Sequence, residues 1–308
     1  MGGILSAAAF VYFIVLALQH KSTFPPGIFS PRILLIILGM AIIYLVIIFL
    51  NGWIWHLLLV GSGGTEKFLD SVIIFVQAQF AKYIPGNIAQ HLGRVALARA
   101  YGMHIPRVLF SMAMEVAWMI LSASSLGVVT LLFLGASDLG VSSFTPSVWQ
   151  LLFIGIAAIA LPIIGVVVLD RWRPAWLKKL YLEGEFKRPG SITLFVVFLV
   201  DILSLATVGW MADGLAAGIF HAPQRHILSS IGIYAIAWVV GFLTPGAPAG
   251  IGIREVILAT AYTRLYGESA ALGVTLSLRM ITMIGDALAF IIGVTGSAFL
   301  RSSRKRPA

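Results

Sequence analysis

The sequence predicts an all-α polytopic integral membrane protein with about six full spans and two re-entrant helical hairpins in an inverted repeat. Three observations predict it. The first is composition: 308 residues, 59% hydrophobic and 11% charged, with a mean hydropathy of +0.99, carry too little polar surface to cover a water-soluble globule. The second is that apolar runs long enough to cross roughly 30 Å of hydrocarbon recur along the whole chain, so residues 1–308 read as a single transmembrane domain. The third is that two further apolar regions are broken by Pro-Gly and copy one another. The chain has no Cys, which excludes disulfides, thiolate metal sites and a Cys nucleophile. Its formal charge of +9 is read as cytoplasmic loops rather than as a nucleic-acid surface.

Taken in order, the full spans are expected at about 4–19, 33–60, 107–135, 148–169, 192–213 and 270–299. The run at 4–19 has no basic segment or small-residue cleavage site before it and is read as a retained span rather than a signal peptide. Residues 67–103 and 226–266 each read as an apolar segment, a Pro-Gly break and a short amphipathic segment ending near Gly. The first contains YIPGNIAQHLGRVALARAYG and the second FLTPGAPAGIGIREVILATAYTRLYG. With Pro85-Gly86 laid on Pro245-Gly246, Arg94 falls on Arg254 without a gap. The repeats are taken as 33–135 and 192–299.

Charge orients the copies. The basic loop within 170–190 carries six Lys/Arg between 171 and 188 and the tail from Arg301 carries four, whereas 136–147 carries none. By the positive-inside rule the basic segments and both termini face the cytoplasm. The pair at 67–103 then opens and closes on the cytoplasmic side and the pair at 226–266 on the external side. Lys21 and Arg32 fall on the wrong side of this scheme. Inverted repeats whose broken helices meet near the midplane are a layout of alternating-access transporters.

The candidate site residues cluster at the two breaks. Pro85 removes a backbone donor and Gly86 tolerates a turn, so the segment from Asn87 would present free N–H groups and a positive helix end to an anion. Gln90, His91 and Arg94 follow, and Lys82 precedes the break. At the second tip, Pro245, Gly246, Gly250 and Gly252 permit close backbone approach, ahead of Arg254 and Glu255. Arg279 lies deep in the last run. Guanidinium groups stay charged and present a planar fork suited to phosphate oxygens. Four cations at membrane depth need counter-charges or an anionic ligand. Glu115, Asp201 and Asp286 are the acids available for pairing or coupling, with Arg94 to Glu115 as one structural pair. The acids are expected to hold part of the basic lining in place, and the remaining positive field to meet substrate. No metal site is predicted from the histidine spacing, no catalytic residue is assigned and no cofactor is expected. Trp53, Trp55, Trp149, Trp172 and Trp176 read as interfacial anchors.

At KYIPGNIAQHLGR and TPGAPAGIGIREV the sequence resembles the lysylphosphatidylglycerol synthase transmembrane (flippase-domain) family, the membrane part of MprF-type and AglD-type proteins. The second motif departs from the family's Pro-Gly-Gly-x-Gly-x-Arg-Glu pattern at Ala247-Pro248-Ala249. The resemblance implies a polytopic lipid translocase whose central cavity includes Arg94, Arg254 and Glu255. It also implies that the aminoacyl-transferase activity of full-length relatives is not expected of this chain, in which about eight residues follow the last span.

The leading functional expectation is a flippase that moves a phosphate-bearing lipid between leaflets of the cell (inner or plasma) membrane. The lipid would be a polyprenyl-phosphate-linked sugar or an aminoacylated phospholipid such as lysyl-phosphatidylglycerol. The first alternative is an intramembrane enzyme acting on a lipid phosphate, for which His91, Glu115 and Ser111 can be nominated. The second is a membrane subunit of an envelope glycosyltransferase, a partner class that also fits the leading reading. The sequence leaves the oligomeric state open.

Overall fold

The computed structural model describes residues 30–83, 89–138, 187–244 and 252–304, with Phe24 and Gly27. All regular structure among the described residues is helical. The helices are α1 (Pro31–Gly61), α2 (Phe68–Gln79, continued by a 3₁₀ turn Phe80–Tyr83), α3 (Ala89–Ala100) and α4 (Ile105–Asp138) in the first half. In the second half they are α5 (Ser191–Gly218), α6 (Ile227–Leu243), α7 (Ile253–Tyr266) and α8 (Glu268–Arg304). The expected spans at 4–19 and 148–169 lie outside the described residues, as do both Pro-Gly tips.

Among the described residues, four helices are long and apolar enough to cross a bilayer: Pro31–Gly61, Ile105–Leu131, Ser191–Gly218 and Glu268–Phe299. With the family shown below, they make this a multi-pass membrane protein. Their outer faces are apolar in stripes at helical spacing. Leu34, Leu38, Ile42 and Val46 are exposed along α1, and Ile192, Phe195, Leu199 and Leu203 along α5. In water such stripes would be a liability; against lipid tails they are the ordinary solvent-facing surface. Inward faces carry small residues that let helices approach, among them Ala212, Ala216, Ala235, Ala237 and Ala271.

α2, α3 and α7, of 12, 12 and 14 residues, are about 18 to 21 Å long at 1.5 Å per residue and so too short to cross the hydrocarbon alone. α3 and α7 both finish on Tyr-Gly. Gly102 (φ 74°) and Gly267 (φ 82°) take the left-handed conformation that stops a helix and that a side chain disfavours. That physical role accounts for the Tyr-Gly shared by the two sequence copies.

The eight helices contact one another in corresponding pairs. α1 packs on α2 as α5 packs on α6; α2 packs on α8 as α6 packs on α4; α1 packs on α8 as α5 packs on α4; and α1 meets α5. The open end of the α6–α7 pair is fastened to α5 by the fully buried Asp213. Asp213 pairs with Arg225, accepts the backbone N–H of His226 at 2.7 Å and accepts the Tyr266 hydroxyl at 3.0 Å. Ser230 and Tyr266 are hydrogen-bonded at 2.6 Å, tying α6 to α7.

Candidate functional site

Between the two halves lies a cavity of about 180 Å³, walled by every helix from α1 to α8. Tyr44 and Asn51 come from α1, Gln79 from α2, Gln90, His91 and Arg94 from α3, Glu115 from α4 and Ser204 from α5. Tyr234 and Trp238 on α6, Arg254 on α7 and Thr282 on α8 close the far side, with Lys82 and Tyr83 supplied by the 3₁₀ turn. Three ion-pair groups and one additional arginine define its electrostatics.

Lys82 is the first. Its Nζ lies 2.8 and 2.7 Å from the two carboxylate oxygens of Asp286, which is fully buried on α8. The Tyr83 hydroxyl donates to Asp286 Oδ2 at 2.6 Å, and the Lys82 ammonium donates to Tyr44 Oη at 3.3 Å. One carboxylate thus fastens the end of α2 and its 3₁₀ turn to α8, the last helix of the second half. Burial of so well solvated a charge is tolerable because both oxygens have charged or hydroxyl donors.

Arg94 is the second. It makes a two-point pair with Glu115, Nη1 to Oε2 and Nη2 to Oε1, the latter at 3.3 Å. Its guanidinium centre lies 4.4 Å from the Phe75 ring centroid and 4.9 Å from that of Trp55, and the residue is 3% exposed. Pairing with Glu115 and contact with the two rings together hold the fork in place. Trp55 itself is fully buried and donates its indole N–H to Ser111 Oγ at 3.0 Å. The expectation of an interfacial anchor is corrected for Trp55: a ring needed under a buried guanidinium cannot stand at the headgroups. Trp53 packs against the cluster around Ile54 and Leu58, and Trp149, Trp172 and Trp176 lie outside the described residues. Ser111, nominated for intramembrane chemistry, is fully buried and donates to the Val108 carbonyl at 2.8 Å.

Arg279 and Arg254 share the third acid. Arg279 Nη1 lies 3.3 Å from Glu255 Oε1, while the other oxygen of Glu255 accepts the Gly252 backbone N–H at 2.7 Å. Gly252 has φ 88°, a conformation that places it as the residue capping the start of α7. Arg254 therefore stands at the second position of its helix, whereas Arg94 stands at the sixth position of α3. Arg254 Nε comes no closer than 3.9 Å to Glu255 Oε1, too long for a hydrogen bond, and its guanidinium centre is 6.0 Å from the Tyr234 ring centroid. It borders the cavity with its side chain 15% exposed.

Of the remaining candidates, Gln90 and His91 line the cavity with their side-chain nitrogens 3.3 Å apart. Glu255, Arg279 and Asp286 stand behind the lining as partners of residues in or beside it. Asp201, on α5, does not line the cavity. It is fully buried and neither carboxylate oxygen has a hydrogen-bond partner; the charged residue whose field reaches it is Glu115. Pro85, Gly86, Asn87, Pro245, Gly246 and Gly250 lie outside the described residues. Sequence reasoning missed Tyr44, Tyr83, Tyr234, Asn51 and Gln79. A polar or hydroxyl group inside an apolar run was the available signal, most plainly Asn51 in LVIIFLNGWIW.

Among known proteins, residues 2–289 match the family described as the lysylphosphatidylglycerol synthase TM region, and the chain belongs to that family. No curated protein matches it.

Proposed function

We propose that this member of the lysylphosphatidylglycerol synthase TM region family is a flippase that carries a phosphate-bearing lipid across the bilayer without changing it chemically. One observation carries the reading: a cavity with arginine, lysine and other polar side chains set among apolar ones in its wall, built jointly by both halves of a bundle whose outer faces are apolar. Moving a phosphate through hydrocarbon requires compensating charge and hydrogen-bond donors along its path. Arg254 supplies a fork with no hydrogen bond to any described residue, at the start of a helix whose dipole adds positive potential.

In this reading α2–α3 and α6–α7 are re-entrant hairpins entering from opposite faces, and residues 33–135 and 192–299 form an inverted repeat. The reciprocal helix contacts and the shortness of α2, α3 and α7 support it. Both termini and the basic loop face the cytoplasm of a cell membrane, and the lipid is an aminoacylated phospholipid or a polyprenyl-phosphate-linked sugar. A glycosyltransferase that makes such a lipid is the partner class that fits. Asp201, a buried acid with no pairing partner among the described residues, is the candidate for coupling transport to protons.

The test is leaflet transfer by the purified full chain in liposomes that contain a head-group-labelled phospholipid, with a membrane-impermeant quencher added outside. The proposal expects quenching beyond the outer-leaflet half, with the lipid recovered chemically intact. Protein-dependent conversion of the lipid to a new species would favour an enzyme, and quenching that stops at one half would remove the flippase reading.

A further inference from the structure

The ion pairs of the cavity wall are unequal in number, and the imbalance bears on what the site can hold. Lys82, Arg94, Arg254 and Arg279 stand against Glu115, Glu255 and Asp286. Lys82 is taken up by Asp286 and Arg94 by Glu115, while Glu255 serves Arg279 at 3.3 Å and Arg254 only at 3.9 Å. Among the described residues, four cations against three carboxylates leave one positive charge, and geometry assigns it to Arg254 at the cavity edge. The tips outside the described residues, 84–88 and 245–251, contain no charged residue, so they do not alter the balance. Asp201 is kept out of the count because an ionised carboxylate buried with no donor to either oxygen is costly.

We infer that the cavity is matched to a phosphate carrying a single negative charge, a phosphodiester, and discriminates against phosphomonoesters and diphosphates that carry two or more. The inference rests on the flippase reading and narrows its substrate class. A monoanion on Arg254 completes the charge balance of the site. A second negative charge would enter a low-dielectric pocket whose other cations are already paired, where it would have to break a buried pair or remain uncompensated. At the phosphate the match covers both lipid classes named above, because a head group esterified to a lipid phosphate leaves one ionised oxygen; the ammonium groups of an aminoacylated head group lie outside this count and need acceptors of their own. It excludes the bare lipid monophosphate.

The purified full chain in detergent at pH 8, where an ordinary imidazole is neutral and a phosphomonoester is fully ionised, can be melted with short-chain phosphatidylglycerol or phosphatidic acid. Phosphatidylglycerol is expected to stabilise with an apparent affinity about tenfold or more above that of phosphatidic acid. Gln79→Lys adds a cation to the lining without breaking a pair and should move the preference to phosphatidic acid; Asn51→Lys is the alternative if that variant does not fold. Wild-type preference for phosphatidic acid, or a preference unmoved by the added lysine in a folded variant, overturns the charge match and leaves the flippase reading standing. Absence of stabilisation by either lipid overturns both.

Discussion

Arg94 and Arg254 occupy the same place in the two sequence copies, nine residues after a Pro-Gly proline, yet the protein uses them differently. Arg94 stands one turn and more into α3, paired at two points with Glu115 and in contact with the rings of Phe75 and Trp55. Arg254 stands in the first turn of α7 beside an acid that another arginine already holds. The difference originates in where each helix begins. Gly252 starts α7 one residue before Ile253, and its counterpart in the first copy, Leu92, is an exposed residue within α3. Residues equivalent in sequence are thus a tightly paired group in one half and, in the proposed function, the binding group in the other.

The largest effect that would sharpen this contrast is on stability at Arg94. Arg94→Gln leaves Glu115 in the wall without its counter-charge, and a loss of about 3–5 kcal/mol is expected, read as a lowered melting temperature in detergent. A melting temperature close to wild type would show that the two-point pair is not a scaffold and would break the comparison. Next in size is Gly252→Ala, which forces a side chain onto φ 88° at the start of α7. A cost of about 1–3 kcal/mol is expected, together with weaker lipid-induced stabilisation as Arg254 is displaced. Leu92→Ala, the matching change in the first half, should do neither.

Arg254→Gln is expected to cost less than about 1 kcal/mol in the lipid-free protein, since the contact with Glu255 is long and partly open. Lipid-induced stabilisation and leaflet transfer should be lost all the same. Arg254→Lys keeps the charge without the fork and should retain part of both. A strongly destabilised Arg254→Gln that still responds to phosphatidylglycerol would reverse the roles assigned to the two arginines. The smallest stability change is expected for Asp201→Leu: no hydrogen bond is lost, and an apolar side chain of similar shape fits a buried site. If Asp201 couples transport to protons, that variant melts near wild type while its leaflet transfer no longer responds to a pH gradient.

Much of this was legible in the sequence because it depends on local pattern. Four of the expected spans coincide closely with α1, α4, α5 and α8, since an apolar run of that length has few other fates in a membrane protein. The two sequence copies were visible through Arg94, Arg254 and the Tyr-Gly endings. Pairing was less legible. Lys82 and Asp286 are 204 positions apart, and no periodicity links them; their meeting is set by α2 packing on α8. Glu255 gave a similar lesson, for it lies next to Arg254 in sequence and closer to Arg279 in space. Trp55 was misread because a tryptophan near the end of an apolar run looks the same whether it faces headgroups or a buried cation.

The reciprocal packing of the short helices on the long ones has a mechanical meaning. α8 supports α7 of its own half and α2 of the other, and α4 likewise supports α3 and α6. Each of these two long helices is therefore a shared axle, bearing one helix of the α2–α3 pair and one of the α6–α7 pair. The Asp213 cluster adds a rivet that ties α6 and α7 to α5. If the cavity is gated as the proposed function requires, the helices on which both short-helix pairs are mounted are the elements through which one side answers to the other.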